Sequence, residues 1–349
     1  MSPAASPKRS LALLASLWPF FLALSAFAGS LAYLLGAPST AGRGAVRVLS
    51  YSAFLGSWGP GPELAKRFTA KTGVAVQFLD AGDAGLLLKK LELFPSDVVV
   101  GLDGLSLAET RAAGVWRPLD AIRGAIDRSP SWREPEFAAY DWSQMSFVYR
   151  KGELEPPRSL QELLDPRFRG AIALEDPRTS TPGLQFLLWV LDELGTDAGF
   201  EFLEKLKPNI HSVGASWSQA YGAFSKKRAK LAFSYVTSAA YHWLEENDYE
   251  YQPAVFATGH PVQVEYAAIS AKCSDCTAAE AFVSFLLEPE SQKLIMRKNY
   301  MFPVDTAAAA GTPFAGLLGA GIKTRAWRGL PALLAEREQL FDRWRRLGL

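Results

Sequence analysis

Between Val46 and Leu102 three short apolar runs, VRVLSY (46–51), VAVQFL (74–79) and DVVVGL (97–102), alternate with two stretches that carry helix signals. The first of these, PELAKRFTAKTG, has Pro62 suited to a first helical turn and Gly73 suited to the position just past the last one. The second is a shorter run from Leu86 to Leu93. Strand, helix, strand, helix, strand in this order calls for parallel pairing with helical crossovers, since antiparallel neighbours need no helix between them. Ligands of such open sheets sit beyond the carboxyl ends of the strands. Tyr51, Asp83 and Asp103 all fall in the loops that follow a strand.

The middle of the chain repeats the pattern. Ala171 to Leu174 reads as a strand, Pro182 to Leu194 and Trp217 to Lys227 as helices, Leu231 to Tyr235 as a strand and Ser238 to Glu246 as a helix. Val264 to Ile269 is a further strand, followed by helical stretches from Thr277 to Arg297 and a last helix from Pro331 to about Arg346. A chain of 349 residues exceeds one ordinary domain. The expectation is an α/β protein of two lobes, the second inserted into the first: lobe I over 46–143, lobe II over 144–262, and a return to lobe I over 263–349 that includes the C-terminal helices. The chain would cross between lobes near Tyr140 to Tyr149 and again near Gly259 to Glu265.

Ahead of the lobes, Lys8 and Arg9 are the only charges before Arg43, and they precede an apolar run from Leu11 to Leu35. This is an export signal. Ala26-Phe27-Ala28 has the small-x-small pattern of a signal peptidase site, while the run is long enough to span a bilayer. Residues 1–28 are therefore read as a signal peptide, with retention as an N-terminal anchor still open, and 29–45 as a linker.

The charge balance narrows the function. With 37 basic and 36 acidic residues there is no field of one sign to gather nucleic acid or an anionic membrane surface. Aromatic residues make up 12% of the chain, which fits either a large core or a cleft built from rings. No G-x-S-x-G, H-E-x-x-H, Walker or G-x-G-x-x-G pattern supplies a nucleophile, a metal site or a phosphate loop. His211, His242 and His260 are far apart and read as structural. Cys273 and Cys276, the only thiols, read as a local disulfide or an idle pair, because two Cys without a nearby His are half a zinc ligand set.

Two patterns suggest a binding site. In Asp176-Pro177-Arg178-Thr179-Ser180-Thr181-Pro182-Gly183, Ser180 or Thr181 stands where a helix cap belongs, and free N–H groups at a helix start hold anionic or polar ligand groups. In Phe233-Ser234-Tyr235-Val236-Thr237-Ser238 a strand ends in polar residues that open a helix carrying Tyr241 and His242. Trp58 and Trp217 add rings at loop positions, and Asp83 stands between small residues where a carboxylate can meet a cation or an amine. Each feature has a plainer explanation by itself: a cap, a solvated turn, a core ring.

Taken together, DPRTSTPGL, WSQAYGAF, SYVTSAAYHWLEE, SWGPGPE, VVVGLD and QVEYAA resemble the periplasmic thiamine-binding proteins of bacterial ABC importers, over a span from about Val46 to the C-terminal helix. The resemblance implies a two-lobed periplasmic-binding-protein type II fold that closes on its ligand by hinge motion. It implies capture of thiamine and its mono- and diphosphate for delivery to an ABC permease, by a periplasmic monomer with no cofactor, no catalysis and no nucleic-acid partner. Carried over by position, Asp83 with Ala84 would be the acidic contact, and Ser180 with Thr181 the hydroxyl pair at a helix start. Trp217 and Tyr235, Val236, Thr237 and Ser238 would be further contacts, and Tyr51, Trp58 and Tyr241 cleft walls. Tyr300, before Met301-Phe302-Pro303-Val304, stands where better-known members have Trp. The alternatives are a thiamine-degrading transferase of the same fold, which uses a cleft Cys with an acidic partner, and a binder of a polyamine or ferric complex.

Overall fold

The three apolar runs form β1 (Val46–Ser50), β2 (Val76–Asp80) and β3 (Val98–Asp103). β1 pairs in parallel with both of the others, as the helical crossovers require. β3 is buried at every position, whereas β2 at the sheet edge is buried at none. The helix Gly61–Thr72 ends at Gly73, whose φ of 73° is free of the Cβ clash other residues would meet. Its Phe68 meets Phe282 edge-on at 5.1 Å, fastening the helix to the sheet through a later helix, Cys276–Leu286.

The protein is seen here in a computed structural model that describes residues 44–127 and 132–349. The expected export segment, 1–28, and all but the last two residues of the expected linker lie outside the described residues. Among the described residues no helix is long and apolar enough to cross a membrane.

The remaining strands are β4 (Phe137–Arg150), β5 (Ile172–Glu175), β6 (Ile210–Gly214), β7 (Leu231–Tyr235), β8 (Tyr251–Pro253), β9 (Val262–Ile269) and β10 (Phe302–Pro303). They run in the order β2-β1-β3-β9-β4-β7-β5-β6, with β8 and β10 also paired to β4. β4 is 14 residues long and belongs to both lobes. Up to Gln144 it pairs antiparallel with β9, and from Met145 with β7. Each half of the strand array covers its own apolar core, one around Phe68, Phe137 and Phe282, the other around Phe147, Trp189 and Phe233.

The C-terminal end corrects an expectation. Residues 263–349 were expected to return to lobe I as a whole, but only the part through β10 does so. The last helices, Leu330–Ala335 and Arg337–Leu347, place Leu333, Leu340, Phe341 and Trp344 in the core of lobe II. The reason is the helix Thr181–Leu194, which is buried from Thr181 through Asp192 and presents apolar residues all round. Such a helix needs cover on the side away from the sheet. Asp192 fixes the cover in place: its carboxylate accepts from the Arg325 guanidinium at 2.6 Å and from the backbone N–H groups of Arg328 and Gly329 at 2.8 Å.

Cys273 and Cys276 are joined in a disulfide at the start of the helix Cys276–Leu286. The adjacent Ser274 donates to Asp97, at the amino end of β3, so this corner lies at the opposite end of the strand from Asp103.

Candidate ligand-binding site

The carboxyl ends of β1, β3, β5 and β7 bring side chains of both lobes together. From lobe II, β5 ends at Glu175 and the chain turns through Asp176, whose carboxylate accepts from the Arg178 backbone N–H at 2.9 Å and binds its guanidinium. Ser180 then caps the helix Thr181–Leu194 by position only. Its backbone is extended, but the side chain makes no capping bond, and among the described residues its buried Oγ has no partner. The helix therefore keeps first-turn N–H groups and a hydroxyl for other use. Gly183 permits the tight turn, since a Cβ there would stand 2.5 Å from the Glu175 carbonyl oxygen.

From lobe I, Asp83 caps a 3-10 turn, Ala84–Leu86, by accepting from the Gly85 N–H at 3.2 Å. Gly85 lies against lobe II so closely that a Cβ on it would be 3.3 Å from the Thr179 carbonyl oxygen. Burial between the lobes raises the Asp83 carboxyl to about 6; the N–H groups of Gly85, Thr181 and Trp217 pull it down in part, and the Asp103 charge adds to the rise. Asp83 thus already faces the starts of two lobe II helices. Thr181 adds a second link, donating from Oγ1 to Asp103 at 3.4 Å.

Trp217 opens the helix Trp217–Ser225, stacks on Tyr221 at 5.0 Å and 14°, and donates its indole N–H to Ser234 at 2.8 Å. Ser234 in turn bonds Ser238 at 2.8 Å, so the ring is held by a short hydroxyl relay. Tyr235 ends β7 at the centre of the cluster. Burial, followed by the charges of Glu265, Asp83, Asp141 and Glu175, pushes its hydroxyl far above the usual tyrosine range. Burial, and then the Asp83 charge, does the same to the Glu175 carboxyl.

Behind this cluster lies a buried polar network. Glu265 accepts from Tyr51 at 2.8 Å and from Tyr140, while Asn299 donates to Asp141 at 2.8 Å and to Tyr51 at 2.9 Å. Burial raises the carboxyls of Asp141 and Glu265, which sit side by side. Gly101, at φ 105°, makes room for Tyr51, whose ring would lie 2.4 Å from a Cβ there.

The structure brings together Tyr51, Asp83, Ala84, Ser180, Thr181, Trp217 and Tyr235 with Ser238 behind them. The remaining positions named from sequence are placed otherwise. Val236 is fully buried in an apolar cluster with Met296, Phe302 and Phe314, so its side chain faces core. Thr237 is also fully buried and donates to Ser143 on β4, at the crossing between lobes. Trp58 is 49% exposed. Tyr241 and Tyr300 meet edge to face at 5.2 Å, a contact of lobe II with the end of the helix Pro289–Asn299, and the Tyr300 hydroxyl donates to Glu245 at 3.1 Å. Sequence reading did not single out Glu175, Glu265, Asp141, Tyr140 or Asn299. Only Glu175 carried a usable local signal, as a polar residue closing an apolar strand next to the DPRTSTPG segment.

A two-lobed α/β body with a polar cleft at its strand ends defines the bacterial extracellular solute-binding proteins, and the chain belongs to that family, whose description matches residues 60–300. Within it the chain groups with thiamine-binding periplasmic proteins. It is 36% identical to the one from Escherichia coli over 262 residues, covering 74% of this chain and 80% of that one. It is 34% identical to the one from Brucella abortus over 286 residues, covering 80% and 85%. The solved structure of a periplasmic thiamin binding protein superposes with a TM-score of 0.79 at 32% identity, over 89% of this chain and 98% of the other. Each of these relatives is a binding protein by name.

Proposed function

We propose that the protein captures thiamine in the periplasm, holds it between the lobes, and delivers it as a monomer to an ABC permease. The observation that carries this reading is the Asp83 carboxyl, held between the lobes beside Tyr235 and facing the starts of two lobe II helices. Such a site favours a cation, and the attraction is stronger where water is excluded. Thiamine offers a permanent thiazolium charge with flat rings for Trp217 and Tyr235. Its hydroxyethyl arm, free or phosphorylated, suits the unpartnered Ser180 hydroxyl and the start of the Thr181 helix. Thiamine mono- and diphosphate are included on that ground, although Asp83 already draws on the same N–H groups and an ester must share them. The transferase alternative needs a free thiol in the cleft, and both Cys residues are bonded to each other at the far end of β3.

The test is a calorimetric titration of the protein with thiamine, its monophosphate and its diphosphate, with spermidine and ferric citrate as controls. Thiamine is expected to bind at concentrations at least about 100-fold below either control, a gap of ~2.7 kcal/mol. Equal or tighter binding of spermidine or ferric citrate would refute the assignment.

A further inference from the structure

Glu175 differs from every other carboxylate in the cleft. Asp83 receives backbone N–H groups, Asp103 receives Leu105 N–H at 2.7 Å and Ser106 N–H at 3.0 Å, Glu265 receives two tyrosine hydroxyls, and Asp141 receives Asn299. Glu175 is 1% exposed, and among the described residues no other residue gives either of its oxygens a hydrogen bond; only its own backbone N–H acts on the carboxyl. Its backbone is fixed by the close approach of Gly183, so the side chain starts from a rigid point at the end of β5. The charged and titratable groups that act on it are Asp83, from lobe I, and Tyr235, from β7, which places the carboxyl at the meeting of the lobes.

A buried carboxyl that no other residue pairs is costly unless a partner arrives, and it is cheaper to bury in the protonated form. A carboxylic acid accepts at one oxygen and donates at the other. On the reading that the ligand is thiamine, three parts are available. The thiazolium has no N–H to give, and the hydroxyethyl arm belongs with the Thr181 helix. The aminopyrimidine alone presents an amine donor beside a ring-nitrogen acceptor, the complement of a carboxylic acid.

We propose that Glu175 is a specificity-determining residue that receives the amine and adjacent ring nitrogen of the aminopyrimidine. Asp83 and Tyr235 then face the cationic part of the ligand, and the two carboxyls divide the work: one reads the edge of a ring, the other balances charge.

The experiment compares thiamine with an analogue in which hydrogen replaces the amine, so that only the ring-nitrogen acceptor remains, in the wild type, Glu175→Gln and Glu175→Leu. Each is titrated by tryptophan fluorescence, with an N-alkylated thiazolium lacking the pyrimidine as a third probe. The wild type should prefer thiamine over the analogue without the amine by ~10- to 100-fold, because the analogue leaves the carbonyl oxygen of the acid unpaired. Glu175→Gln keeps one donor and one acceptor and should keep that preference within about threefold. Glu175→Leu should reduce it to under about threefold while leaving the thiazolium probe unchanged. The leucine variant is expected to melt no lower than wild type, since it removes a buried carboxyl that no other residue pairs; Glu175→Met replaces it if it does not fold. A leucine or methionine variant that retains the wild-type preference overturns the proposal. A wild type that ignores thiamine altogether overturns the functional reading beneath it, so the two failures are distinguishable.

Discussion

Asp83→Asn tests the physical role of the interlobe carboxylate. With the lobes in contact Asp83 titrates at about 6, against an ordinary value of 3.8. At roughly 1.4 kcal/mol for each tenfold change in proton affinity, that difference amounts to ~3 kcal/mol. The sign follows from the direction. A raised carboxyl binds its proton more tightly in the lobes-together form than when Asp83 is exposed. That form is therefore favoured in acid and loses stability as pH rises from below 3.8 through about 6. About half of the loss, roughly 1.4 kcal/mol, falls between pH 5 and pH 7.5. Asparagine does not titrate, so the stability gap between variant and wild type should move in favour of the variant by that amount between these two pH values. Urea unfolding at both pH values measures the gap, and small-angle scattering in the same buffers reports whether the loss appears as opening of the lobes. If the gap is the same at pH 5 and pH 7.5, and the radius of gyration of the wild type does not change, Asp83 is not held between the lobes and the reasoning fails.

Two further outcomes bear on other parts of the molecule. Trp217→Ala should weaken thiamine binding about 2- to 30-fold, the range of one ring contact with a cation, without lowering the melting temperature by more than a few degrees; calorimetry and a melt decide it. Trp344→Ala should cost about 3–5 kcal/mol in urea unfolding, because the indole is fully buried in the core of lobe II, whereas an isolated terminal helix would lose almost nothing.

The sequence carries the central strands openly. VRVLSY and DVVVGL are continuous apolar runs because both faces of β1 and β3 are covered, and the parallel pairing follows from the helices between them. What covers the Thr181 helix is not written locally. Its apolar circumference announces a need for cover, but the partner, around Trp344, is more than a hundred residues away and shows only its own amphipathic stripe. The gathering of residues at the meeting of the lobes was legible where a motif coincides with a strand end, as at Asp83, Ser180 and Trp217. At Val236 the polar residue that follows bonds Ser143, while the Val236 side chain itself turns into an apolar cluster. Glu175 escaped notice because nothing local tells whether a carboxylate after a strand will be solvated or enclosed; the enclosure comes from the opposite lobe.

The C-terminal cover has a mechanical consequence. A body joined only by β4 and by the chain entering β9 could both open and twist about the pair. The segment from β10 to Leu330 is a third strap: it leaves the lobe I strands at Pro303, donates from Arg325 to Asp192, and ends in the core of lobe II. Three chain crossings therefore join the lobes, so any movement of one lobe against the other must bend β4, the chain entering β9 and this segment together.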